Sequence, residues 1–210
     1  VRRVALVVQA LPKVPEGAEA VSLFGKPFAR QQMADEARKK AEDDLARARA
    51  DFEKSPTEEN AVWVGRRLAY LGRFRDSIEW YTSQLEAHSD SAKLLRHRGH
   101  RYITVREFDR AVADFGRAAQ LIKGAKDEVE PDGVPNARNQ PVSSLHSNVW
   151  YHLALAHYLK GDFEKALAAC DEGMKVGGNP DRLVSQTYWR YLCLRRLGSD
   201  VEAKEALKPI

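Results

Sequence analysis

Two stretches decide the fold when laid over one another: YLGRFRDSIEWY, Tyr70 to Tyr81, and YITVREFDRAVADF, Tyr102 to Phe115. Gly65 returns as Gly99, Phe74 as Phe108, Ser77 as Ala111 and Tyr81 as Phe115, each 34 residues later. YLKGDFEKALAAC, ending at Cys170, is a third copy; its Phe163, Ala166 and Cys170 are displaced by 55 residues, one period plus an insertion of 21. LRRLGSDVEAKEAL, Leu194 to Leu207, is a fourth, with Ala203 lying 37 residues beyond Ala166. Self-similarity at such a period is the mark of stacked supersecondary units.

The residue types explain the repeat. Each copy reads as two antiparallel helices joined by a tight turn, with small residues (Gly65, Gly99, Ala154, Ala111, Ala166) where the helices approach and Phe74, Phe108 and Phe163 filling the junction. One such pair cannot bury its own apolar face, so the units must stack. The predicted units span 58–91, 92–123, 147–180 and 181–210, with an inserted loop at 124–146. Upstream, Ala37, Ala41, Leu45, Ala48 and Phe52 form a thin apolar stripe in a highly charged segment, which predicts a capping helix within 31–57. Ser55-Pro56-Thr57-Glu58 stops that helix and starts the next. Residues 1–30 are expected to be an extended apolar segment. Its VRRVALVVQAL start resembles the end of a signal peptide, leaving both a cytoplasmic and an exported protein compatible with the sequence.

Composition removes several function classes. No apolar run approaches the ~18 residues that would cross a bilayer. Cys170 and Cys193 lack CxxC spacing and are expected to be structural. The chain contains no GxSxG, phosphate-loop or HExxH motif, and no catalytic residue or cofactor is assigned. His97, His100 and His152 are conceivable metal ligands, but the neighbouring arginines disfavour a cation, so no metal site is assigned. Single-stranded nucleic acid is disfavoured because 30 acidic residues nearly balance 34 basic ones.

Taken together, residues 58–210 resemble a tetratricopeptide repeat (TPR) array of the kind found in bacterial proteins. The small, glycine, aromatic, alanine and aromatic positions recur in order over the four units. One departure is Arg106, which stands where a turn glycine is expected in the second unit. The resemblance implies an all-α fold, a right-handed α-solenoid whose concave surface is lined by the first helix of each pair.

The stretch LLRHRGHRYI, Leu94 to Ile103, then becomes informative, since it holds five basic side chains and no acidic one. At 100° per residue, Lys93, Arg96, His97, His100 and Thr104 share one sector, with Leu95, Gly99 and Tyr102 opposite. Equivalent offsets select Arg66 and Tyr70 in the first unit, Asn148, Tyr151 and His152 in the third, and Tyr188 in the fourth. Arg98 and Arg101 are expected to flank the stack with their heads in water.

The expected groove is basic and aromatic. It suits an acidic or carboxylate-ended peptide of another protein, held by charge-assisted hydrogen bonds. The loop at 124–146 is rich in Pro, Gly, Asn and Ser and is expected to act as a flap that brings Asn136, Arg138, Asn139 or His146 to the groove. The alternative is a small-molecule anion site, or an enzyme with its site beneath that loop.

Overall fold

The computed structural model describes residues 14–30, 32–130, 135–208 and 210. The signal-like run at 1–10 lies outside them. A short hairpin, β1 (Ala18–Val21) and β2 (Pro27–Ala29), precedes α1 (Asp35–Lys54). Four helix pairs follow: α2 (Glu58–Tyr70) with α3 (Phe74–Ala87), α4 (Ala92–Thr104) with α5 (Phe108–Leu121), α6 (Leu145–Lys160) with α7 (Phe163–Lys175), and α8 (Pro180–Leu197) with α9 (Asp200–Ala206).

Local chemistry sets these boundaries with the same period as the sequence repeat. Each first helix begins at a side-chain cap: Thr57, Ser91, Ser144 and Asn179 accept the amides of Asn60, Leu94, Ser147 and Arg182. Such caps satisfy amides that have no partner within the helix. The second helices start without a side-chain cap hydrogen bond, and the residue before each N-cap is a left-handed one that reverses the chain. Gly72, Gly161 and Gly198 occupy that position in three units, at φ 69°, 85° and 78°. Arg106 occupies it in the second, at φ 66°. The departure noted in the sequence therefore keeps the backbone geometry and loses the residue best suited to it.

Packing within the first two pairs depends on a missing methyl group. A Cβ on Gly65 would stand 2.2 Å from Tyr81 Cζ, and one on Gly99 would stand 2.9 Å from Phe115 Cε2. Tyr81 and Phe115 are almost wholly buried, and the Tyr81 hydroxyl donates to the Val62 carbonyl at 3.1 Å. In the third unit the corresponding positions carry Ala154 and the smaller Cys170, both buried. Size is traded between the two helices.

Stacking is continuous. The first helices α2, α4, α6 and α8 touch one another in succession, and each second helix packs against the next first helix. Leu45 and Ala48 of α1 cover Val64, Leu68 and Leu71 at the start of the array. The hairpin is pinned by buried Glu19, which accepts the Arg75 amide at 3.0 Å at the start of α3. Among the described residues no helix is long and apolar enough to cross a membrane.

Three substitutions separate the roles of space and backbone, each read from the urea unfolding midpoint. Gly65→Ala is expected to lose about 1–3 kcal/mol, because Tyr81 cannot retreat from the added methyl. Gly116→Ala, in α5 with nothing within 4 Å, is expected to gain about 0.5–1 kcal/mol through helix propensity. Arg106→Gly is expected to gain up to ~1 kcal/mol by relieving the left-handed backbone. A gain at Gly65 or a loss at Arg106 would contradict this packing account.

Candidate functional site: a cationic groove holding two carboxylates

Helix α4 carries cations on more than one face, and each finds a different environment. Leu94, Leu95, Gly99 and Tyr102 are buried in the stack, as helical periodicity requires. The Arg98 head is paired with an acid rather than free in water as the sequence suggested, although its side chain stays 18% exposed. Its guanidinium forks onto Asp114 of α5 through bonds of 2.8 and 2.7 Å and donates to Thr82 at 3.2 Å. Burial pushes the Asp114 carboxyl above its usual range in spite of this pair, while for Arg98 the pairing outweighs burial and raises the pKa.

Toward the concave side, Arg66, Tyr70, Arg96, His97, His100, Asn148 and His152 surround a cavity of about 260 Å³, with Arg101, Tyr81, Glu130 and Ser143. Seven of the ten groove residues selected from the sequence thus converge. Arg101 also lines the cavity rather than flanking the stack, and its guanidinium lies over the Phe74 ring at 5.8 Å. Burial lowers its pKa to about 10, which leaves it charged at neutral pH.

The other three selected residues sit apart from this cavity. Lys93 lines a neighbouring cavity of about 290 Å³ with Glu59, Val62, Arg66, His97 and the 128–130 segment. Tyr151 accepts a hydrogen bond from Trp189 Nε1 at 2.9 Å and lines a third, smaller cavity with Asn148, Arg182 and Ser185. Tyr188 is exposed beside Trp189 and lines none of these three cavities.

The three histidines are neutral for structural reasons. His97 Nδ1 lies 3.0 Å from Arg96 Nη1; a guanidinium only donates, so this ring nitrogen accepts. His152 Nδ1 lies 2.7 Å from the Asn148 carbonyl, which only accepts, so this nitrogen carries the proton. The His100 and His152 rings meet at 4.5 Å, and His152 stacks on Phe115 at 5.6 Å. Burial and then the Arg96 charge hold His97 well below its usual pKa; burial and then His152 do so for His100. Burial and Arg96 bring His152 down to about 3. Among the described residues no cluster of His, Cys, Asp and Glu is arranged to hold a metal ion.

The inserted loop differs most from the sequence expectation. Asn136, Arg138 and Asn139 stay outside the groove in a turn closed by Asn139 at φ 56°, and Asn136 donates to Asp181 of α8 at 2.8 Å. His146 lies in the first turn of α6, where its amide donates to Asp127. Acidic residues enter the groove instead. Glu130 accepts from Arg96 Nη2 at 2.7 Å and from Asn148 Nδ2 at 2.9 Å, and Glu128 pairs with Lys93 at 2.6 Å. This bond raises the Lys93 pKa. Val129 pairs in antiparallel fashion with Ser144, and the Glu128 carbonyl accepts the Leu145 amide at 2.8 Å. Alternating glutamates in GAKDEVEPDG, opposite a basic helix face, were the only sequence signal of this placement.

The fold is that of a tetratricopeptide array. No family model and no curated protein matches the sequence. Solved structures do match. MamA is 18% identical, with 85% of this chain and 92% of that one covered at a TM-score of 0.60. BtubC (BKLC) from P. vanneervenii is 12% identical, with 85% and 90% covered at 0.57. A putative kinesin light chain from Podospora anserina with nearly identical TPR-like repeats is 14% identical, with 83% of each chain covered at 0.57. Likeness at these identities speaks for the tetratricopeptide fold and not for a ligand.

The neutral histidines make a pH prediction with a definite sign. The unfolded chain takes up protons as pH falls through about 6.5, whereas folded His152 resists until about 3. The contribution of this ring to stability is therefore full above pH ~6.5 and is lost as the pH is lowered toward 3. His152→Gln is expected to show a shallower decline of the urea midpoint between about pH 6.5 and pH 4.5. Equal slopes in the two proteins would remove this ring as a source.

Proposed function

We propose that the protein is an interaction scaffold whose concave groove binds an acidic or carboxylate-ended segment of another protein. The observation carrying this reading is that Lys93, Arg96 and Asn148 already hold two glutamate carboxylates of a short extended segment. The groove chemistry is thus matched to acidic peptide on the molecule itself. Arg supplies directional hydrogen bonds and Lys a flexible point charge, a combination suited to reading carboxylates in series. Solenoids present such extended concave surfaces, and the tetratricopeptide fold supports an adaptor role on general grounds.

A small-anion site is the second reading, favoured by one observation. Arg101 faces the 260 Å³ cavity and makes no ion pair with a carboxylate among the described residues. The histidines beside it are neutral and contribute donors without charge.

Fluorescence polarisation with labelled acidic peptides, free-acid and amidated at the carboxyl end, tests the first reading. Lys93→Ala is expected to weaken binding about fivefold, the size of one partly exposed ion pair of ~1 kcal/mol. Affinity should also fall as salt is raised from about 0.05 to 0.5 M. Binding indifferent to both changes would sink the peptide reading. A rise in melting temperature with citrate or phosphate, and no peptide binding, would favour the small anion.

A further inference from the structure

We infer that the segment Glu128-Val129-Glu130 is a tethered self-ligand: it occupies the groove in competition with a partner segment, and that segment carries two carboxylates one residue apart. The inference rests on the peptide reading above and extends it to the regulation of the same site and the class of its partner.

Three observations lead there. First, the spacing is that of an extended strand. Val129 pairs with Ser144, and its two neighbours reach cations one helical turn apart on α4, Glu128 to Lys93 and Glu130 to Arg96. Alternate residues of a strand face the same side, so any peptide with acidic residues at i and i+2 presents the same pair.

Second, the central contact is buried but incomplete. Arg96 and Glu130 are both under a tenth exposed. Yet Arg96 Nε and Glu130 Oε1 find no hydrogen-bond partner among the described residues. A permanent structural ion pair in this setting is expected to satisfy its remaining atoms, because a partly satisfied buried network is costly. A ligand that also reaches Arg96 Nε would bind better than the segment now in place.

Third, the segment divides the groove. The 260 and 290 Å³ cavities are neighbours that share Glu130, Arg66 and His97 in their linings, so the segment stands at the boundary of both. Its withdrawal would join them into one channel along α4. The segment is held between Leu121 and Leu145, the ends of two packed helices, so its effective concentration at the groove is in the millimolar range or above. A free peptide of equal intrinsic affinity would therefore bind weakly until the tether is released.

The probe is the chain's own segment, AKDEVE (residues 125–130), synthesised with a fluorophore and an amidated end. It is titrated into the full chain, the double variant Glu128→Gln/Glu130→Gln and the single variant Glu128→Gln. Glu128 is more than half exposed, so the single variant keeps its fold even where the double variant does not. The double variant is expected to bind about tenfold tighter than the unaltered chain, as when the self-bound state holds about nine-tenths of the molecules. The single variant should show a smaller gain. Adding peptide to the unaltered chain should accelerate hydrogen exchange at the Leu145 amide, which now donates to Glu128. Equal affinity for all three proteins, with Leu145 still protected, would overturn the self-ligand and leave the peptide site standing. Absence of binding to all three would overturn both.

Discussion

The close approach of two helices within a unit is the constraint on which the rest depends. Where Gly65 and Gly99 let α2 and α4 come within contact of Tyr81 and Phe115, the pair presents a flat apolar flank to the next pair. That flank fixes the rotation of each first helix. The rotation in turn decides that Arg96, His97 and His100 face inward while Arg98 turns back to Asp114. The cationic face of one 13-residue helix is thus set by atoms that glycine lacks, on the opposite side of the same helix.

The concave face shows what such geometry does to charge. Arg96 cannot shed its proton at neutral pH, so the fold neutralises it with a carboxylate brought from 34 residues away. The histidines next to it take the other course and stay uncharged. Permanent cations and neutral donors therefore alternate along one groove. The same loss of water acts on both; a guanidinium keeps its proton through it and an imidazole gives its proton up.

Legibility in the sequence follows the range of the interactions. The repeat, the helix pairs and the sector of α4 facing inward are local or periodic, so Phe74, Phe108, Gly65 and Gly99 suffice to place them. Arg106 could be placed at a left-handed turn because the same position holds Gly72 and Gly161 in neighbouring units. Ser91 and Ser144 were capable of marking the caps. What periodicity does not encode is the path of an aperiodic insertion. The polar residues Asn136, Arg138 and Asn139 looked like groove contacts by type, but hydrogen bonds to Asp181 and within their own turn keep them outside. Glu128 and Glu130 reach inward because Val129 finds a backbone partner in Ser144, a pairing between two segments without a pattern of their own. Arg98 and Arg101 were misplaced for a related reason: the acid that captures Arg98 lies on a neighbouring helix, and the cavity that Arg101 faces is lined in part by Glu130 and Ser143 of the insertion.

The same insertion changes the mechanics of the array. In a solenoid each unit touches only its neighbours, so bending is shared among independent joints. Here one segment bonds to α4 through Arg96, to α6 through Asn148, and to α8 through Asn179 and Arg182, which donate to the Pro141 and Val142 carbonyls. It is a tie-bar across three successive units. A strap of this kind couples joints that a plain solenoid leaves independent: bending between α4 and α6 or between α6 and α8 would have to strain these bonds as well as the helix contacts.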